Sequence, residues 1–328
     1  MRIVVLHTLD ALEPPPADPL LDQLCDTLTA LKHDVQRVVV DCCQVEQAAA
    51  DLRRAQPDIV FNVAESFGGK SALESNVAAL LNLLNLHYTG SSPGGLLLAG
   101  DKVLTKKVLR FHGIQTPEFA TLYRGALDWA GDLTFPVIVK PPQEDASLGI
   151  TSASVVHQLK DLFARIDELQ TEFQQPVLVE QFIDGREFYV GVLGNANAEA
   201  LPVIELDFTG FPADRPRIAS WAAKWGDEGD GVGAEFEGAQ SVFPSLDAAL
   251  EGRMKHIAVE AFHALRLRDY ARVDLRVTDA GEIYVIEVNP NCYLERESEF
   301  ARAAKQRGLE YDALLARILE LANARYAR

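Results

Sequence analysis

The stretch Ala271 to Asn291, ARVDLRVTDAGEIYVIEVNPN, constrains this chain more than any other, because it reads as two strands joined by a short turn at Asp279-Ala280-Gly281. Arg272, Asp274 and Arg276 alternate with Val273, Leu275 and Val277. Glu287 and Asn289 follow Ile283 and Val285 at the same two-residue period, so the polar groups share one face of each strand. A loop centred on Ala280-Gly281 sets Asp274 opposite Glu287 and Arg272 opposite Asn289, with Cβ atoms roughly 5 Å apart. An extra residue, such as a bulge at Gly281, shifts that register by one. Two carboxylates and a carboxamide converging among Val and Ile repel one another and lose hydration unless a cation lies between them. Their donors are all oxygen. That favours magnesium or manganese over zinc, and magnesium held by a few carboxylates usually completes its shell with nucleotide phosphates. The competing reading is an acidic, solvated hairpin. Asn289-Pro290-Asn291 weakens it, because these residues end the strand where side chains can face a cleft.

Composition excludes several classes. The 328 residues leave room for two or three domains, and 31 basic against 48 acidic residues give a formal charge of −17 with no long basic run, which disfavours nucleic acid as a partner. An anionic nucleotide still fits, given local lysines and a divalent metal. Cys25, Cys42, Cys43 and Cys292 form neither a CxxC pair nor zinc spacing, so they read as reduced, in a cytoplasmic protein. MRIVVLHTLDALEPPP reads as a first strand and not a signal peptide, and no stretch approaches the roughly 20 apolar residues that cross a bilayer.

The first sixty residues predict a βαβαβ run with a parallel sheet: strand Arg2 to Leu6, helix Pro19 to Leu31, strand Val35 to Val40, helix Val45 to Ala55 and strand Asp58 to Asn62. A dinucleotide dehydrogenase would carry GxGxxG after the first strand, where this chain has HTLDALEPPP. Ser75 to Leu86, apolar on nearly every side, predicts a helix buried in the core or at a subunit interface. Gly90-Ser91-Ser92-Pro93-Gly94 matches the G-x-S-x-G of hydrolases, but the residue after the nucleophile must donate its N–H to the oxyanion hole, and Pro93 has none. It reads as a turn after a strand His87 to Thr89.

Asp101 to Phe111 predicts a helix with Lys102 in its first turn and Lys106, Lys107 and Arg110 toward its end. Residues 115 to 181 predict a small α+β unit. There the strand Phe135 to Lys140 ends on Lys140 before the loop Gln143 to Gly149, which carries Ser147 and lacks the Walker A pattern. Strands follow at Pro176 to Glu180, Phe188 to Leu193 and Leu201 to Phe208. A glycine-rich loop, Ala219 to Phe236, then places Lys224 between Trp221 and Trp225; loops this long in a compact domain are active-site covers or disordered. Leu246 to Leu265 predicts an amphipathic helix, and helices near Glu297 to Arg307 and Tyr311 to Tyr326 close the chain. His256 and His263 lack a third ligand and read as surface or packing residues.

Taken in order, these pieces resemble the ATP-grasp superfamily, and within it the D-alanine:D-alanine ligase branch. The resemblance rests on FNVAESFGGKSALESNVAALLNLLNLHYTGS at 61 to 91, GDKVLTKKVLRFHGIQTP at 100 to 117, FPVIVKPPQEDASLGI at 135 to 150, VLVEQFIDGREFYVGVLG at 177 to 194, and ARVDLRV with YVIEVNPN in the hairpin. It implies an α/β ATP-grasp fold with an N-terminal Rossmann-like domain (1–98), a central α+β lid (99–182) and a C-terminal catalytic subdomain (183–328). By the same resemblance, Lys102 and Lys140 contact nucleotide phosphates beneath the Ser147 loop. Glu180 and the backbone of Phe182 and Ile183 face the adenine, Glu187 takes the ribose hydroxyls, and Lys224 reaches the γ-phosphate. Asp274, Glu287 and Asn289 hold magnesium, and Arg272 donates to the oxyanion when an amine displaces phosphate from an acyl phosphate. Such chemistry needs positioning and counter-charge and no nucleophilic side chain.

The substrate half departs from the family. The glycine-rich turn with serine and glutamate after the first strand is Thr8 to Pro14 here, and the small-residue segment after the metal asparagine is Cys292-Tyr293-Leu294-Glu295-Arg296-Glu297-Ser298. Glu65, Tyr293, Glu295, Arg296 and Ser298 are therefore the substrate-side candidates. Glu295, Arg296 and Glu297 either face water or pair with a polar substrate, because buried unpaired charge is costly. The expectation is an ATP- and magnesium-dependent carboxylate–amine ligase, dimeric through its N-terminal domain, acting on small molecules other than D-alanine. A catalytically idle nucleotide-binding scaffold and a true D-alanine:D-alanine ligase are the alternatives.

Overall fold

The computed structural model describes residues 1–9, 19–123, 126–130, 132–144, 147–210, 216–219 and 239–327. Its opening run is the expected one: β1 (Arg2–Thr8), α1 (Pro19–Ala30), β2 (Asp34–Val40), α2 (Val45–Ala55) and β3 (Ile59–Asn62), with parallel strands ordered β2-β1-β3. Ile3 to Leu6 are all buried because both sheet faces are covered. Ile3 and Val5 meet Leu20, Leu24 and Leu28 on one face, while Val4 and Leu6 meet Leu52, Val77 and Leu81 on the other.

Next come α3 (Glu74–Leu83), α4 (Pro93–Ala99) and α5 (Lys102–Phe111). Two expectations need correcting here. The predicted helix to Leu86 stops at Leu83, with Asn85 at φ 54°, and of the two expected placements full burial in this subunit's core does not hold, since Leu83 is 84% exposed. The predicted strand His87 to Thr89 shrinks to one parallel bridge between Tyr88 and Val60. The chain leaves the sheet there because the N–H groups of Gly90 and Ser91 donate to Asp269 and Asn291 of the third unit. Gly90 sits at φ 88°, and a Cβ on it would fall 2.3 Å from the Asn291 carbonyl oxygen, so this joint requires glycine. The segment that mimics a hydrolase motif is thus a seam between units.

The middle unit contains β4 (Phe119–Tyr123), β5 (Ala126–Ala130), β6 (Val137–Lys140), β7 (Val155–Val156), α6 (Leu159–Phe173) and β8 (Val177–Gln181), in sheet order β5-β4-β8-β6-β7. Val137, Val139, Val177 and Val179 pack against Ile166 and Leu169 of α6. The third unit contains β9 (Arg186–Gly194), β10 (Glu199–Ala200), β11 (Ile204–Asp207), β12 (Gln240–Val242), α7 (Ala248–Ala264), β13 (Asp269–Val277), β14 (Ile283–Pro290), α8 (Glu299–Gln306) and α9 (Tyr311–Tyr326). Its sheet runs β12-β11-β9-β13-β14, with β10 paired to β9. α7 covers one face; Phe300, Leu314 and Ile318 of α8 and α9 share a core with Tyr189 of this sheet and Ile3, Val5 and Phe61 of the first. α5 bridges the other two units, since Val103 packs on Phe119 and Leu178 while Leu109 enters the third unit's core. The cleft therefore opens between two sheets that α5 ties together.

Candidate active site

The hairpin pairs as expected where it matters, Arg272 opposite Asn289 and Asp274 opposite Glu287, but for a different reason. Near the turn the register is one residue shorter, with Leu275 opposite Val285 and Val277 opposite Ile283. A bulge at Ile286 then restores the pairing. It also breaks the two-residue alternation along β14: Ile283, Val285 and Val288 enter the core with Val277, Leu275 and Val273. Strict alternation would have sent Glu287 inward with Val285. The bulge is what brings it to the cleft.

The cation expected between the carboxylates is, in part, the protein's own. Arg272 forks onto Asp274, Nε to Oδ1 at 2.7 Å and Nη2 to Oδ2 at 2.9 Å, and Lys102 Nζ lies 2.6 Å from Glu287 Oε1. Asn289 Nδ2 donates to Asp274 Oδ2 at 3.0 Å, which leaves its carbonyl oxygen as the acceptor side of the amide. Burial alone would disfavour the Arg272 charge, but Asp274 and then Glu299 outweigh it and hold the guanidinium protonated well above the ordinary arginine range. Arg272 also stacks over the Tyr189 ring at 4.7 Å and reaches Glu299 at 3.7 Å.

On the opposite wall, Lys140 and Lys106 both grip Glu180, Lys106 Nζ at 2.9 Å from Oε2. Lys106 also donates to the Ile286 carbonyl at the bulge, at 3.1 Å. The sequence places Lys106 toward the end of the helix and gives it no role. At 1% exposure it is the most buried cation of the site among the described residues, and the sequence signal for that is its i+4 spacing from Lys102 on one helix face. Lys102 Nζ additionally donates to the Glu144 carbonyl at 2.6 Å, below the Ser147 loop. Ser147 Oγ donates to the Ala219 carbonyl at 2.7 Å across the cleft mouth.

Glu187 accepts both Arg276 Nε (3.0 Å) and Nη2 (2.6 Å) on Oε2, and Tyr189 Oη on Oε1 at 3.0 Å. Arg276 is a site residue that strand alternation exposed without assigning it a task. The Phe182 N–H donates to Pro136 and the Ile183 carbonyl accepts from Arg276, leaving the Phe182 carbonyl and Ile183 N–H without backbone partners among the described residues. Lys140, Ser147, Glu180, Phe182, Ile183, Glu187, Asp274 and Glu287 all border one cleft.

The substrate-side candidates do not converge there. Glu295 accepts from Gln23 of α1 at 2.7 Å, and Arg296 stacks on the Tyr311 ring at 5.0 Å, so both dock their loop onto neighbouring helices. Ser298 caps α8, its Oγ accepting from the Ala301 N–H. Tyr293 packs half-buried on the core, and Glu65 is exposed beside Cys292, whose thiol burial pushes far up. Glu299, beside Arg272, is the charge that sequence reasoning missed; one residue past the candidate segment, it reads as an ordinary first-turn glutamate. Lys224 lies outside the described residues.

This geometry predicts that Arg272→Lys will cost roughly 10²-fold in kcat with little loss of nucleotide affinity, because a point charge cannot fork onto Asp274, stack on Tyr189 and present directed donors together. Steady-state turnover beside nucleotide titration would show it. An equal loss in both would place Arg272 on the nucleotide.

A family model described as "D-ala D-ala ligase C-terminus" matches residues 108–320. An uncharacterized protein of Sinorhizobium fredii is 36% identical over 268 residues, 82% of this chain and 75% of its own length. A D-alanine--D-alanine ligase of Syntrophotalea carbinolica is 35% identical over 289 residues, 88% of this chain and 86% of its own. Among solved structures, the D-alanine--D-alanine ligase of Bacillus anthracis complexed with ATP superposes with a TM-score of 0.74 at 22% identity, covering 99% of this chain and 98% of that one.

Proposed function

The chain belongs to the D-alanine:D-alanine ligase family, with the ATP-grasp fold, and from that premise we propose that it joins an amino acid or short peptide other than D-alanine through an acyl phosphate. It is an ATP-dependent, ADP-forming ligase of C–N bonds, and its cofactors are ATP and Mg2+. The residues suit that pair. Glu287, Asp274 and Asn289 offer oxygen donors on one strand face, and Lys102 and Lys140 supply counter-charge beside them. Magnesium-bound ATP supplies the phosphoryl group that activates the substrate carboxylate.

The chain's own groups do the rest. Lys102 and Lys140 neutralise the transferring phosphoryl group. The Phe182 carbonyl and Ile183 N–H, which have no backbone partner among the described residues, offer an acceptor–donor pair to the adenine edge, and Glu187, steadied by Arg276 and Tyr189, takes the ribose. Lys224 is assigned to the γ-phosphate. Arg272, oriented by Asp274, donates to the oxyanion that forms when the amine attacks.

One observation carries the substrate reading: the Glu299 carboxylate stands 3.7 Å from Arg272 and accepts from Ser241 Oγ at 3.1 Å. Negative charge beyond the reacting centre opposes an acceptor that carries little besides its own carboxylate and suits a larger or more polar one. ADP release measured over a panel of amino acids and dipeptides tests this. Robust release with D-alanine alone, at roughly millimolar KM or tighter, would refute it. ATP binding with no stimulation by any panel member would favour the idle scaffold.

The partners are then small carboxylates and amines, with no nucleic acid or membrane. No helix among the described residues is long and apolar enough to cross a bilayer, in keeping with a cytoplasmic placement. We assign the exposed end of α3, with Leu83, to a homodimer contact. Light scattering at micromolar concentration should return twice the chain mass, and a monomer mass would end that assignment.

A further inference from the structure

A second, open cleft of about 540 Å³ lies where the turn between α7 and β13 meets the start of α4 and the end of α9, and it shares no lining residue with the nucleotide cleft. Its charged and titratable lining is His263, Arg266, Arg268 and Arg325, with no Asp or Glu among the lining residues. That is unusual in a chain whose acidic residues outnumber basic ones 48 to 31.

The three arginines differ in their tethering. Arg325 is fixed by Asp269, Nε to Oδ1 at 3.1 Å and Nη2 to Oδ2 at 2.8 Å, and by the Tyr88 carbonyl at 2.8 Å. Asp269 is itself engaged by the Gly90 N–H and the Asn195 amide, so its charge is neutralised beneath the floor of the cleft. Arg266 and Arg268 make no ion pair among the described residues. Their backbone is nonetheless held: Arg266 sits at φ 56° with its N–H on the His263 carbonyl, and the Arg268 N–H donates to Ser91 Oγ. Gly95 of α4 packs so close that a Cβ would meet the Arg266 carbonyl at 3.2 Å, whereas one on Gly94 would meet only Ser92 Oγ, at 4.0 Å.

Arg266 and Arg268 lie two residues apart on one turn and pair with no carboxylate among the described residues, and Asp269 is taken up by Arg325, so the two guanidiniums repel one another until an anion arrives. We propose that this cleft binds a phosphate-bearing small molecule, at a site separate from the nucleotide. Guanidinium forks match phosphoryl oxygens two at a time, and the forks of Arg266 and Arg268, with Arg325 held on Asp269 behind them, suit a multiply charged group better than a single carboxylate. Ser92 Oγ accepts from the Gly95 N–H and so keeps its proton to donate.

The test is calorimetric titration of the full chain with inorganic phosphate and, separately, with phenyl phosphate, after saturation with a non-hydrolysable ATP analogue and magnesium so that the nucleotide cleft is filled. One site is expected, and the arm that binds more tightly tells free phosphate from a phosphate ester. Arg266→Gln combined with Arg268→Gln should weaken it roughly tenfold or more. Gly94→Glu, which sets a carboxylate into open space in the cleft and leaves the arginines intact, should do the same. Affinity for the ATP analogue should be unchanged in both variants, which also reports that they fold. No second site in the parent protein, or equal binding in both variants, would overturn the proposal.

Discussion

Glu287→Gln will lower turnover by roughly 10²- to 10³-fold, the range seen when one electrostatic stabiliser of a transition state is removed. The amide keeps the shape and an oxygen for Lys102, whose Nζ lies 2.6 Å from Glu287 Oε1, but removes the charge that a divalent cation needs. Stability should fall by less than for a fully buried pair, because Glu287 is 26% exposed and the buried Lys102 keeps its bond to the Glu144 carbonyl. The variant should thus be folded, weak in magnesium-dependent nucleotide binding and nearly idle. ADP release over a magnesium titration, run beside thermal unfolding, separates these effects. Parent-like activity with parent-like magnesium dependence would remove Glu287 from the site.

How legible the fold was depended on what each element answers to. The βαβαβ opening, α5 and the closing helix Tyr311–Tyr326 follow from local pattern, since buried parallel strands and amphipathic helices write their environment into hydrophobic period. His87 to Thr89 misled for a tertiary reason: the residues have strand character, but Gly90 and Ser91 are drawn to Asp269 and Asn291, far along the chain. The end of α3 misled because an all-apolar helix reads as buried whether or not a partner covers it, and Leu83 is uncovered within this subunit.

The site was legible as a set of residue types and less so as a set of contacts. Asp274, Glu287 and Asn289 were found by register, yet the bulge at Ile286 that makes the register work leaves no glycine or polar signature. Resemblance placed Glu295 and Arg296 near the reacting centre; the structure engages them with Gln23 and Tyr311, contacts no local spacing could reveal. Glu299 was passed over because a glutamate in the first turn of a helix is the commonest of residues there, and only its 3.7 Å approach to Arg272 distinguishes it.

Glu180→Gln should be the most destabilising single change in the cleft, at about 3 to 5 kcal/mol, the cost of leaving a buried charge without its partner. Glu180 is 1% exposed and stands between Lys106, also 1% exposed, and Lys140. Burial pushes its carboxyl up, but Lys106 and Lys140 together outweigh that and hold it below the usual carboxylate range. Lys106 is shifted down, because its burial exceeds what Glu180 returns. The signs follow. A carboxyl depressed in the folded state contributes stability above the ordinary carboxylate pKa, and loses it as pH falls through its own lower value. A lysine depressed in the folded state makes stability rise with pH between its lowered value and the ordinary lysine range. Glutamine abolishes the acid-side dependence and strengthens the alkaline one, since Lys106 then has only the Ile286 carbonyl and distant charges to hold its proton. Urea unfolding of parent and variant at acid, neutral and mildly alkaline pH would show the gap between them widest near neutrality and narrowing toward both ends. Adding Lys106→Met to the variant should recover much of the lost stability, because an apolar side chain of similar length suits that pocket better than an unpaired ammonium. If the double variant is no more stable than Glu180→Gln alone, the loss does not come from the stranded Lys106 charge, and Glu180 holds the cleft by another route.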